Sequence, residues 1–179
     1  KDDNITIVFV GRKYALDTEH TLSLEYKEVT DRNIPFISLQ AGRITRVVSL
    51  RGIASIFKVP LGFFHAFTIV HQEQPDIIFS FGGYIALPIV MLGWILRKKI
   101  YTHEQTISPG LANKINSLFV EKIYLSWPQT TKYFDTKKVE VIGNLTRESI
   151  FSKKAQLKTI TDFINRSKNL IYVTGGNQG

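Results

Sequence analysis

Hydrophobic and polar positions alternate in a way that predicts strand and helix in regular succession. Ile5-Thr6-Ile7-Val8-Phe9-Val10 is a β-rich run stopped by Gly11, and Ile34-Pro35-Phe36-Ile37-Ser38 reads as a second strand. Between them, residues 15–25 are weakly helical in pattern. A long amphipathic segment from Ile53 to Gln74 follows, with Pro60 expected to kink or divide it. Ile77-Ile78-Phe79-Ser80 is the next strand, Gly82-Gly83 its turn, and Ile85 to Leu96 a helix. The strand around Ile100-Tyr101-Thr102 leads into His103. Ser108-Pro109 reads as an N-cap followed by proline at the first helical position, opening a helix through Ser117. Strands near residues 122–125 and 139–142 complete a β-α-β series, the pattern of a parallel, doubly wound α/β sheet.

The last stretch differs. Residues 152–168 are polar and rich in lysine, as in an interdomain linker or helix, and Leu170 to Thr174 forms a new strand entering Gly175-Gly176-Asn177-Gln178-Gly179. The expected organisation is a first domain over 1–150, a linker over 151–168, and the first strand and glycine turn of a second domain over 169–179.

Composition narrows the class. The 179 residues are 44% hydrophobic, enough for one full core. There is no cysteine, which removes disulfides and thiolate chemistry, and His20, His65, His71 and His103 lack zinc-site spacing. The net charge of +8 favours anionic partners without choosing among them. The longest apolar run, Tyr84 to Leu96, is shorter than the ~20 residues a membrane-spanning helix needs.

Candidate chemistry gathers at strand carboxyl ends, where ligands bind in open α/β sheets. Gly82 and Gly83 allow backbone amides to approach an anion beside a helix N-terminus, although a ligand-free βα turn has the same pattern. His103 and Glu104, read as lying just past a strand end, suit an orienting group and a base or sugar-hydroxyl acceptor; satisfying loop backbone is the alternative. Arg147, after Gly143-Asn144, suits a diphosphate, or equally a solvent-facing position in a linker. Phe57, Leu61 and Phe64 with Lys58, Arg97 and Lys98 fit either an exposed apolar and basic membrane face or an ordinary core helix with a basic rim.

In order along the chain, these residues resemble the MurG-type glycosyltransferases of family 28. The resemblance rests on Phe9-Val10-Gly11 with Leu16-Asp17, on Gly42-Arg43, and on Pro75-Asp76 through Gly82-Gly83-Tyr84 to Pro88. It continues through His103-Glu104-Gln105 with Pro109-Gly110-Leu111-Ala112-Asn113, Val141-Ile142-Gly143-Asn144 with Arg147, and Gly175-Gly176-Asn177-Gln178-Gly179. It implies a GT-B fold and transfer of N-acetylglucosamine from UDP-GlcNAc to a polyprenyl-diphosphate-linked acceptor of peptidoglycan synthesis. It implies a peripheral enzyme on the cytoplasmic face of the bacterial plasma membrane, with no cofactor or metal and no nucleic-acid partner. Gly82, Gly83, Tyr84, Gln105, Thr106 and Asn113 would bind the acceptor, with His103 and Glu104 supporting catalysis. Asn144, Arg147, Gly175, Gly176, Asn177 and Gln178 would bind the donor.

Thr106 stands where the family has Asn, Leu145-Thr146 where it has Pro-Val, and Asn177 where it has Ser. These departures leave a related transferase of another surface polysaccharide open. The resemblance further implies that the family's first strand, its G-G-T-G-G-H turn with the proposed base, and most of the donor domain lie outside this chain. A fragment of that kind is expected to be inactive alone and to have a gapped sheet, or a strand donated by a second copy. A non-catalytic membrane-recruiting subunit is the alternative from another class.

Overall fold

The structure is a computed structural model and describes residues 5–15, 21–39 and 50–146, with side chains in the last span from residue 60 onward. The chain divides into two compact units, Lys1–Asn144 and Leu145–Gly179. Leu16-Asp17, Gly42-Arg43, the linker over 151–168 and the strand entering Gly175 lie outside the described residues.

All the described elements belong to the first unit. They are β1 (Phe9–Gly11), α1 (Leu24–Thr30), β2 (Phe36–Ser38), α2 (Leu50–Glu73), β3 (Ile77–Ser80), α3 (Ala86–Ile95), β4 (Lys99–Glu104), α4 (Leu111–Asn116), β5 (Lys122–Leu125), a 3-10 helix (Pro128–Tyr133) and β6 (Val139–Val141). Every ladder is parallel, and the strands form two sheets, β1-β2 and β3-β4-β5-β6. β1 and β3 share no ladder, which matches the expected gapped sheet.

The core follows from alternation along the strands. Ile78, Ile100, Ile123 and Leu125 point to one face and pack with Val90 of α3 and Val120. A second cluster joins Val10 and Ile37 of the small sheet to Ala66 and Ile69 of α2 and to Ile85, Ile89 and Leu92. Thus α2 and α3 bind the two sheets together although no ladder does. The opposite face of the larger sheet carries a layer of rings, with Phe79 against Phe81 and Tyr124, and Tyr124 against Tyr101.

Several elements differ from the sequence expectation. β1 begins at Phe9, because its one ladder partner is the three-residue β2; Ile5 and Ile7 are exposed. Gly11 continues the strand instead of stopping it. A Cβ there would lie 2.9 Å from the Phe9 ring and 3.2 Å from Phe36, so glycine is what admits those stacked rings. Of the weak helix expected over 15–25, residues 16–20 lie outside the described residues; Tyr14 and Leu22 form an antiparallel bridge, and α1 starts at Leu24. Ser23 caps it by accepting the Tyr26 amide at 3.1 Å. Pro60 does not divide α2, since one lost hydrogen bond is tolerated where later turns are anchored by buried Ala66, Ile69 and Val70. The helix expected from Ser108-Pro109 begins at Leu111 with Gly110 as N-cap, because residues 106–107 are tied down by Thr130.

Candidate functional site

At the carboxyl ends of β3 and β4, three of the predicted acceptor residues, Gly83, Thr106 and Asn113, join Glu104 in one hydrogen-bonded chain. Gly82 and Gly83 leave β3 with φ of 84° and 80°, the left-handed region that favours glycine. The Gly82 amide donates to Ser80 Oγ at 3.0 Å, and the Gly83 amide donates to Asn113 Oδ1 at 2.7 Å. Asn113 Nδ2 then donates to Glu104 Oε2 at 2.6 Å. Glu104 Oε1 accepts both the Thr106 amide, at 2.8 Å, and the Thr106 hydroxyl, at 2.7 Å. The glycine turn, the end of β4, its exit loop and α4 are therefore one unit.

This geometry corrects three expectations. His103 and Glu104 are not loop residues past a strand end; they are the last two residues of β4, paired alongside Tyr124 and Leu125, and each is 4% exposed. Neither glycine amide is free to meet a ligand, because both are committed within the protein. Glu104 is likewise no base in this arrangement, since its two oxygens hold three donors. It positions Asn113 and Thr106, and through Asn113 the turn.

His103 works on the opposite face of β4. Its Nε2 lies 3.4 Å from the Gly143 carbonyl, which only accepts, so this contact is a hydrogen bond in the tautomer that carries hydrogen on Nε2. Ser126 Oγ lies 3.2 Å from the same nitrogen and donates to Asn144 Oδ1 at 3.4 Å. His103 thereby orients the Gly143-Asn144 segment. Arg147, Gly175, Gly176, Asn177 and Gln178 lie outside the described residues.

Three tethering residues carried no local motif. Trp127 Nε1 donates to the Gln105 carbonyl at 3.0 Å, and the buried Thr130 hydroxyl donates to the Thr106 carbonyl at 3.1 Å. Thr102 Oγ1 donates to the Ser80 carbonyl at 3.0 Å, tying β4 to β3 at the turn. The one signal available was the recurrence of small hydroxyl residues near the ends of consecutive strands: Ser80, Thr102 and Ser126. Tyr84 carries the Arg12 guanidinium 5.6 Å from its ring centroid.

On α2, which packs on α3, Leu61 and Phe64 are exposed at 67% and 73%. Trp94 and Ile95 are exposed on α3, and Arg97 and Lys98 follow its last turn. The side chains of Phe57 and Lys58 are outside the described residues. Among the described residues, no helix is long and apolar enough to cross a membrane.

Residues 16–125 match the glycosyltransferase family 28 N-terminal domain. The UDP-N-acetylglucosamine--N-acetylmuramyl-(pentapeptide) pyrophosphoryl-undecaprenol N-acetylglucosamine transferase of Borrelia hermsii is 34% identical over 179 residues, covering 99% of this chain and 47% of its own length. The enzyme of the same name from Legionella pneumophila is 32% identical over 180 residues, covering 98% and 50%. The chain thus spans about half the length of the curated relatives it matches. Among solved structures, Acinetobacter baumannii MurG aligns with a TM-score of 0.53 at 25% identity, over 70% of this chain and 34% of that one. Anabaena HepE in complex with UDP aligns at 0.57 over 90% of this chain and 49% of that one; its 11% identity speaks to fold alone.

Proposed function

The chain belongs to glycosyltransferase family 28, and on that premise we propose that the full-length protein moves N-acetylglucosamine from UDP-GlcNAc to a muramyl-pentapeptide carried on a polyprenyl diphosphate, a step of peptidoglycan synthesis. The observation that carries this reading is the Gly83–Asn113–Glu104–Thr106 chain. It locks a glycine turn and a helix start at the strand ends, within the residues that match the family domain. The reaction is a displacement without a resident metal: an acceptor hydroxyl, deprotonated by a base, attacks the anomeric carbon as UDP departs with the bonding electrons. The α3 N-terminus supplies a positive dipole end to the acceptor's diphosphate. Asn144, whose Oδ1 accepts the Ser126 hydroxyl, is assigned to the donor side, to which the resemblance of their motifs also assigns Arg147 and Gly175 to Gln178.

Transfer from UDP-GlcNAc to a polyprenyl-diphosphate-linked acceptor, measured on the full-length protein, tests this directly. Arg147→Ala should raise the KM for UDP-GlcNAc by roughly tenfold or more, the loss of a charge-assisted contact, with the acceptor KM little changed. An unchanged donor KM removes Arg147 from the donor site.

The same reading places the protein peripherally on the cytoplasmic face of the bacterial plasma membrane. Exposed Leu61 and Phe64 on α2, with the cations following α3, support it. Replacing Leu61 and Phe64 together by Ser should weaken association with phosphatidylglycerol vesicles by roughly tenfold or more, because each exposed apolar side chain contributes on the order of 1 kcal/mol when buried. Sedimentation with vesicles reads this, and unaltered association means another surface docks.

A further inference from the structure

An anion at the Gly82-Gly83 turn finds both glycine amides already committed, one to Ser80 and one to Asn113. The α3 dipole alone is a weak counter-charge for two phosphates. Neutralisation therefore has to come from a side chain at this edge, and β1 delivers one. Arg12 is the first residue after β1, is half-buried, and holds its guanidinium over the Tyr84 ring, directly beside the turn.

The chain fixes Arg12 there. Its carbonyl accepts the Ser23 hydroxyl at 2.7 Å, and the Lys13 carbonyl accepts the Ser23 amide at 2.9 Å. Ser23 is thus both the cap of α1 and the clasp on Arg12. A ring face holds a guanidinium through its π system and leaves the N–H fork free to donate. Among the described residues, no carboxylate forms an ion pair with Arg12, and the Glu104 oxygens are already filled.

We propose that Arg12, held on Tyr84, binds the diphosphate of the acceptor and supplies the positive charge that the glycine turn does not. The inference rests on the acceptor reading of the turn given above, and adds a residue that no motif in the sequence marked.

The test compares wild type, Arg12→Ala and Arg12→Lys in the full-length protein. Arg12→Ala should raise the acceptor KM by roughly tenfold to a hundredfold, the range for a lost charge-assisted hydrogen bond, while the UDP-GlcNAc KM stays within about twofold. Arg12→Lys should recover only part of the loss, because a point charge replaces a bidentate fork. Calorimetric titration of the same proteins with geranyl diphosphate should show the same order of affinity. Transfer with an unchanged acceptor KM and unchanged geranyl diphosphate affinity in Arg12→Ala overturns the role of Arg12 and leaves the transferase reading intact. Arg12-dependent diphosphate binding without transfer by the wild type does the reverse.

Discussion

Gly82→Ala is expected to lower stability by about 3–4 kcal/mol, and Gly83→Ala by only about 1–2 kcal/mol, although the two glycines are neighbours with nearly equal φ. Both substitutions force a side chain into the left-handed region, which sets the smaller figure. They differ in what a new Cβ meets. At Gly83 nothing lies within 4 Å. At Gly82 the new carbon would fall on the amide group of Asn113, its Oδ1, Nδ2 and Cγ all closer than real Cβ contacts allow. Asn113 would have to leave, taking with it the bond from the Gly83 amide and its own bond to Glu104. Urea unfolding of the two variants isolates the difference. Acceptor kinetics should follow the same order, since displacing Asn113 frees the turn from α4. Equal losses in the two variants would mean that Asn113 does not hold the turn.

The contrast also shows what could be read from the sequence. β3 and β5 were legible at their residue bounds because Ile78 with Ser80, and Ile123 with Leu125, alternate with residues that face outward. The last two residues of β4 were not. His103 and Glu104 read as loop chemistry, and only the neighbouring row, Tyr124 and Leu125 of β5, makes them strand. Pairing partners lie outside any local window, so a strand's end is set by its neighbour's length as much as by its own residues. Ser23 was a readable cap that the weak helical pattern of 15–25 concealed. The family motifs singled out the glycine turn, the end of β4 and α4 one by one, but not the contacts that join them. The Gly83–Asn113–Glu104–Thr106 chain joins three separate segments, and the Arg12–Tyr84 contact joins two strands with no ladder between them. No spacing encodes such contacts. They exist because α2 and α3 hold the two sheets with their carboxyl ends at one edge.

The second large effect is expected at Glu104, where Glu104→Gln should destabilise by about 2–4 kcal/mol despite its near-equal size. Every group facing the carboxylate is a donor: the Thr106 amide and hydroxyl on one oxygen, Asn113 Nδ2 on the other. A carboxylate accepts on both sides; a glutamine amide accepts on one and donates on the other. If the new NH2 faces Thr106, it meets the backbone N–H, which cannot reverse. If it faces Asn113, that side chain can flip to offer its oxygen, but its NH2 then confronts the Gly83 amide, another fixed donor. The first orientation leaves the part-buried Thr106 amide without its acceptor, and the second carries the conflict into the exposed turn at Gly83. Asn113→Asp provides the discriminating companion. It keeps an acceptor for Gly83 but sets one carboxylate against another at Glu104, so it should be destabilising at neutral pH and partly restored when combined with Glu104→Gln. The double-mutant cycle, read by urea unfolding and by acceptor KM, should show a coupling of about 1–3 kcal/mol. Strict additivity would mean that the two side chains act independently, and that Glu104 does not reach the turn through Asn113.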